Sequence, residues 1–134
     1  MGAFRAGQVR SRGHEALVVS RDPARGRPLE VVLAQDLDAA VVSSSTDQHP
    51  AHILSFVERG VPVLSEKPIA LTLRETRGTL DRIRAAGGTL QVSFQRRFDP
   101  GFAAAREAVE RGSIGTPYVL RLNSHDHEPS PEHY

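Results

Sequence analysis

The sequence predicts an α/β fold, a parallel β-sheet doubly wound by helices. Three observations predict it. Short apolar, β-branched runs recur along the chain, the segments between them carry helix-start and helix-stop residues, and the two kinds of segment alternate. Glu15-Ala-Leu-Val-Val-Ser20, Ala39-Ala-Val-Val-Ser43, Val61-Pro-Val-Leu-Ser65 and Thr89-Leu-Gln-Val-Ser-Phe94 read as strands. Their near-continuous apolar character is that of parallel strands covered on both faces.

The elements between them follow in order. Asp22-Pro23 offers either a turn or a helix start after the first strand. Between it and Leu29-Glu-Val-Val-Leu33 the chain is short for a full helix plus a further strand. Asp47 can cap a helix that turns Ile53, Phe56 and Val57 inward and stops at Gly60. Thr72-Leu-Arg-Glu75 is a capping box; Leu73, Thr76, Leu80 and Ile83 then recur at helical spacing until Gly87-Gly88. Asp99-Pro100 opens another helix, with Phe102, Ala105 and Val109 on one face and Gly112 as its stop. Thr116 to Ser124 reads as a last strand, and His125 to Tyr134 shows no periodicity.

Composition narrows the function classes. With 134 residues, 39% hydrophobic and 25% charged, the expectation is one soluble globular domain. A net charge of +1 gives no polyelectrolyte case for nucleic acid, and the arginines lack an aromatic stacking platform. The basic first 27 residues read more simply as a solvated face than as a phosphate-facing patch. Without cysteine there is no disulfide framework, thiolate nucleophile or zinc–sulfur site. His125-Asp-His-Glu128 alternates ligand types without further fixed ligands, so no metal site is read there. No apolar run suits a membrane span or a signal peptide, which points to a cytoplasmic location and no membrane partner.

Parallel sheets bind ligands beyond the carboxyl ends of their strands. That edge collects Ser20-Arg21, Ser43 to His49 and Ser65 to Pro68. Ser44, Ser45 and Thr46 stand where a helix N-terminus offers free N–H donors to an anion, although they could equally just build the turn. His49 follows in the first turn, where a structural role competes with a binding one. An acidic residue at the end of the Ser20 strand would suit ribose hydroxyls. Ser20-Arg21 suits a 2′-phosphate instead, and so NADP over NAD. Arg96-Arg97 ends the next strand, either as a polyol or carboxylate contact or as a surface pair.

Lys67 is the only lysine among 17 Lys and Arg residues. Arginine stays charged, whereas lysine can lose and regain a proton when its surroundings allow. A lone lysine after a strand, beside Glu66 and stopped by Pro68, is therefore the catalytic candidate. The plainer alternative is compositional accident.

Thr46-Asp-Gln-His49, Gly60-Val-Pro-Val-Leu-Ser-Glu-Lys-Pro68 and Gln91-Val-Ser-Phe-Gln-Arg-Arg-Phe-Asp-Pro100, in this order and spacing, resemble the Gfo/Idh/MocA family of NAD(P)-dependent oxidoreductases. The last segment is most similar to its inositol 2-dehydrogenase branch. The resemblance implies a Rossmann domain, here residues 1–115, followed by the start of a larger α/β substrate and oligomerisation domain at 116–134. It implies hydride transfer between a sugar or cyclitol alcohol and the nicotinamide of NAD or NADP. Lys67 would contact the reacting hydroxyl and Glu66 would lie by the nicotinamide. Ser44, Ser45, Thr46 and His49 would line the cofactor groove, Ser20 and Arg21 would meet the adenosine ribose, and Arg96 would lie near the substrate.

Met1-Gly-Ala-Phe-Arg-Ala6 matches the helix after the family's Gly-rich loop, with Arg5 where the family often has His. The expectation is thus an incomplete Rossmann sheet, without its first strand and Gly-rich loop, in a chain truncated at both ends and of weak or no activity alone. The strand at 15–20 would pair with that at 39–43 or leave an open edge, through which homo-oligomers could form. The alternative function is a non-catalytic nucleotide-binding or protein-interaction module.

Overall fold

The computed structural model describes residues 2–123 and 125. Asp126 to Glu128, and with them most of the His125–Glu128 motif, lie outside the described residues. The described residues up to Phe94 form one compact unit and those from Gln95 another.

In the first unit the elements run α1 (Gly2–Arg10), α2 (Leu29–Leu33), β1 (Ala40–Val42), α3 (His49–Val57), β2 (Val63–Ser65), α4 (Leu73–Ala85) and β3 (Leu90–Val92). The strands form a parallel sheet in the order β1-β2-β3, with Val41 opposite Leu64 and Leu64 opposite Gln91. Three of the four expected early strands are therefore present, each shortened to three residues.

The core lies between the sheet and helices α3 and α4. Ala40, Val42, Val63, Ile53, Leu54, Phe56, Val57 and Ile83 form one buried cluster. The inward stripe expected of Ile53, Phe56 and Val57 is observed, and Ile53 is fully buried. Burial alternates along β1, with Val41 41% exposed between two buried neighbours. The two faces are thus unequally covered, in contrast to the expectation from the apolar runs.

Local signals place the helix ends. The Thr72 hydroxyl accepts the Glu75 N–H at 3.1 Å and the Glu75 carboxylate accepts the Thr72 N–H at 3.1 Å, completing the capping box. Gly60 and Gly87 end α3 and α4 at positive φ, where a Cβ would be strained. Asp47 does not cap α3. A 3-10 turn over Thr46–Gln48 intervenes, and Asp47 instead accepts the Gln48 side-chain amide at 2.7 Å.

Glu15–Ser20 does not form the expected strand. Its one ladder contact is a parallel bridge between Val19 and Arg27, built from Arg27 N–H to Val18 O (2.8 Å) and Ser20 N–H to Arg27 O (2.9 Å). It does not pair with β1, whose only strand partner among the described residues is β2. Asp22-Pro23 makes a turn, with the Asp22 carboxylate accepting the Ala24 N–H. Leu29–Leu33 is a single helical turn that buries Val32.

In the second unit Asp99 caps α5 (Pro100–Glu110) through the N–H groups of Gly101 and Phe102, as expected. The expected apolar face is not buried: Phe102 is 38% and Val109 46% exposed. Residues 116–123 form no strand and find no partner ladder, and Tyr118, Val119 and Leu120 are almost fully exposed. A strand requires a neighbouring strand to satisfy its N–H and C=O groups, and no described segment pairs with this one.

Candidate functional site

The carboxyl ends of the three strands meet the first turn of α1. Each strand is followed by, or ends in, a serine: Ser43, Ser65 and Ser93. Small hydroxyl residues at these positions let other backbone approach the sheet edge. Gly2 lies against Ser43, and a Cβ on residue 2 would sit 3.5 Å from the Ser43 Oγ. One turn on, Arg5 reaches across the edge. Its Nε donates to Glu66 Oε1 at 3.0 Å and a second guanidinium nitrogen donates to the same oxygen. The guanidinium also contacts Gln8 at 3.1 Å and Ser93 at 3.4 Å.

The Glu66-Lys67-Pro68 turn is held from several sides. The Glu66 N–H donates to Val42 O at 2.8 Å and the Ser65 hydroxyl donates to Glu66 O at 2.9 Å. The Pro68 carbonyl lies 2.8 Å from His49 Nδ1, and the Lys67–Pro68 bond is cis. Between these anchors the Lys67 side chain is exposed and makes no hydrogen bond or ion pair with the described residues.

His49, 2% exposed, connects two parts of the edge. Its Nε2 lies 3.0 Å from Ser44 O, while Nδ1 faces Pro68 O. A neutral imidazole carries one N–H and can donate to only one of these carbonyls; the imidazolium donates to both. The ring thus staples the β1–α3 loop to the Glu-Lys-Pro turn.

Ser44 and Ser45 are exposed at the start of that loop and Thr46 is half-buried. The Ser44 Oγ lies 2.9 Å from His52 Nδ1. Burial lowers the His52 pKa below its ordinary value of 6.5; the charges of His49 and Arg21 lower it further, while Asp47 opposes them. The Arg21 charge is thus felt at His52. Asp47 is itself held below the usual carboxylate range by hydrogen bonds from Ser45 and then Gln48. Ser20 is half-buried and its hydroxyl accepts the Asp22 N–H at 3.1 Å.

Arg96 belongs to the second unit. Its guanidinium stacks over the Phe102 ring at 5.2 Å, and with Arg97, Ala103 and Arg106 the pair lines an open cavity of about 250 Å³.

Arg5, His52 and Ser93 are the residues that sequence reasoning did not single out as contacts. His52 could have been found three residues after His49 on α3, and Ser93 from the recurrence of serine at each strand end. Arg5 and Glu66 are 61 residues apart, and only the fold brings them together.

The chemistry of this edge fits a dinucleotide. It offers hydroxyls, the free N–H groups of a nine-residue helix and a nearby arginine, while its one half-buried carboxylate is already paired. A family model described as an oxidoreductase family with an NAD-binding Rossmann fold matches residues 6–94, ending where the first compact unit ends. The chain belongs to the Gfo/Idh/MocA family. A myo-inositol dehydrogenase of Streptomyces leeuwenhoekii is 37% identical over 98% of this chain and 45% of its own length. The crystal structure of a myo-inositol dehydrogenase from Corynebacterium glutamicum superposes with a TM-score of 0.69 at 33% identity, over 86% of this chain and 39% of that one. A scyllo-inositol dehydrogenase from Lactobacillus casei, solved with NAD(H) and scyllo-inositol bound, gives 0.60 at 33% identity over 64% of this chain and 26% of that one. The chain spans less than half the length of these relatives. No helix of the described residues is long and apolar enough to cross a membrane.

Proposed function

We propose that the sheet edge binds NAD or NADP and serves hydride transfer between a cyclitol or sugar alcohol and nicotinamide. The observation that carries this is the unpaired, exposed Lys67 amine held on an otherwise anchored turn at that edge. Nicotinamide, when bound, supplies the hydride acceptor. Lys67 would meet the reacting hydroxyl and take its proton, a task for the neutral amine. Glu66 would lie beside the nicotinamide and Arg96 would contribute to the substrate. The first turn of α1, with Ser44, Ser45 and Thr46, would receive the phosphates. His49 supports the groove by holding the loop rather than by facing outward. Ser20 and Arg21 would meet the adenosine ribose, and the Arg21 charge favours a 2′-phosphate, hence NADP over NAD.

The test is a titration with NADH and with NADPH, following nicotinamide fluorescence. We expect binding of both, tighter for NADPH, with the preference reduced by Arg21→Ala. No fluorescence change with either cofactor up to about 1 mM would overturn the reading.

A second reading, association of copies through unpaired strands, is favoured by the open edge of β1 and the exposed segment Tyr118–Leu122. A concentration-dependent dimer by sedimentation, with no cofactor binding, would replace the first reading by this one.

A further inference from the structure

Glu66 and Lys67 are adjacent, opposite in charge and at the same turn, yet they do not pair. Glu66 is committed to Arg5, through Nε at 3.0 Å and a second nitrogen of the fork. Both partners are largely withdrawn from water, at 27% and 16% side-chain exposure. A planar guanidinium can hold one carboxylate oxygen through two N–H groups, which a lysine ammonium does with less directional control. Gln8 accepts from the remaining guanidinium nitrogen at 3.1 Å, and Ser93 lies 3.4 Å from a nitrogen that also holds Glu66, so the fork is tethered on both sides.

We propose that Arg5 is a positioning residue, which sequesters the Glu66 carboxylate and so keeps the Lys67 amine unpaired. A free carboxylate beside an ammonium stabilises its charged form and hinders proton acceptance. Arg5 neutralises that carboxylate permanently, because a guanidinium does not give up its proton. The pair also fixes α1 to the turn that carries Lys67. The proposal deepens the role given to Lys67 but concerns only which charges pair, and it can be read without turnover.

Because Lys67 is the only lysine, amine acylation at fixed pH reports on one side chain, with the N-terminal amine resolved by peptide mass. Four chains are compared: wild type, Arg5→Met, Glu66→Gln and the double variant. In Arg5→Met the released Glu66 engages Lys67, and acylation should slow by about three- to tenfold, the effect of an opposite charge close by. In the double variant the carboxylate is gone, and the rate should return to within about twofold of wild type. An Arg5→Met rate equal to wild type would overturn the proposal. So would a wild-type rate well below that of the double variant, which would mean that Glu66 already holds Lys67. If circular dichroism shows Arg5→Met to be unfolded, the same comparison is made with Arg5→Gln and its double variant with Glu66→Gln. Failure here leaves the cofactor titration standing, and failure of that titration leaves the pairing result standing.

Discussion

Residues 40–94 and residues 2–39 both contain strand and helix signals but fold to different degrees. The first stretch holds all three paired strands and nearly the whole core. In the second, Val32 is the only buried residue among those described, and strand pairing is limited to one bridge. Glu15-Ala-Leu-Val-Val-Ser20 and Ala39-Ala-Val-Val-Ser43 are near twins in composition. The second runs beside β2, and the first finds no strand. Helical hydrogen bonds close within their own segment, whereas a strand depends on what lies next to it.

The comparison breaks most visibly if the core residues of the two stretches prove equally dispensable. Ile53 is fully buried between α3 and the sheet, and Ile53→Ala should cost about 2–5 kcal/mol in urea unfolding through lost burial and the cavity left behind. Val19 is 39% exposed at the isolated bridge, and Val19→Ala should cost less than about 0.5 kcal/mol. Similar losses at the two positions would mean that residues 15–27 belong to the same cooperative core.

A pair of glycines sharpens the contrast. A Cβ on Gly88 would sit 2.2 Å from Val57 Cγ1, and a Cβ on Gly26 would sit 2.4 Å from the Val18 carbonyl oxygen. Both clash, but against different supports. Val57 is a stiff, fully packed core residue, so Gly88→Ala should cost about 1–3 kcal/mol of global stability. Gly26→Ala should open the Val19–Arg27 bridge and remove exchange protection from the Ser20 and Arg27 amides. The urea midpoint should move little, because little of the core depends on that bridge. A global loss from Gly26→Ala as large as that from Gly88→Ala would erase the distinction.

The same physics set what was legible in the sequence. Capping at Thr72 and Asp99 and the glycine stops were readable because each is settled within a few residues. The strands at 40–42, 63–65 and 90–92 were readable, and they pair with one another. The runs at 15–20 and 116–123 also read as strands, yet among the described residues the first makes a single bridge and the second none, which a single segment does not reveal. At the site, Lys67, Glu66 and the Ser44–Thr46 loop were located by the rule that ligands gather at carboxyl ends. The Arg5 contact was not legible, because it joins a helix face to a turn 61 residues away. His49 was expected at the groove, and its burial between two carbonyls gives it a stapling role that its sequence position alone left open.

The smallest expected effect lies at the groove itself, where His52 is in the well-packed stretch but Arg21, which acts on it, is in the sparsely packed one. Burial, then the charges of His49 and Arg21, lower the folded-state pKa of His52 below 6.5, against the pull of Asp47. Below 6.5 the unfolded chain therefore binds a proton more readily at His52 than the folded chain does. The contribution to stability is complete above that pH and is lost as pH falls toward the lowered folded value. Thermal midpoints followed from about pH 7.5 down to about pH 5.5 should fall, and the fall should be shallower in His52→Gln. Arg21→Ala should make it slightly shallower too, since it removes one of the charges that oppose protonation. If His52→Gln falls as steeply as wild type, His52 is not the group that couples this groove to pH. If only Arg21→Ala has no effect, residues 15–27 do not hold Arg21 near the groove, and the two stretches differ more than their shared edge implies.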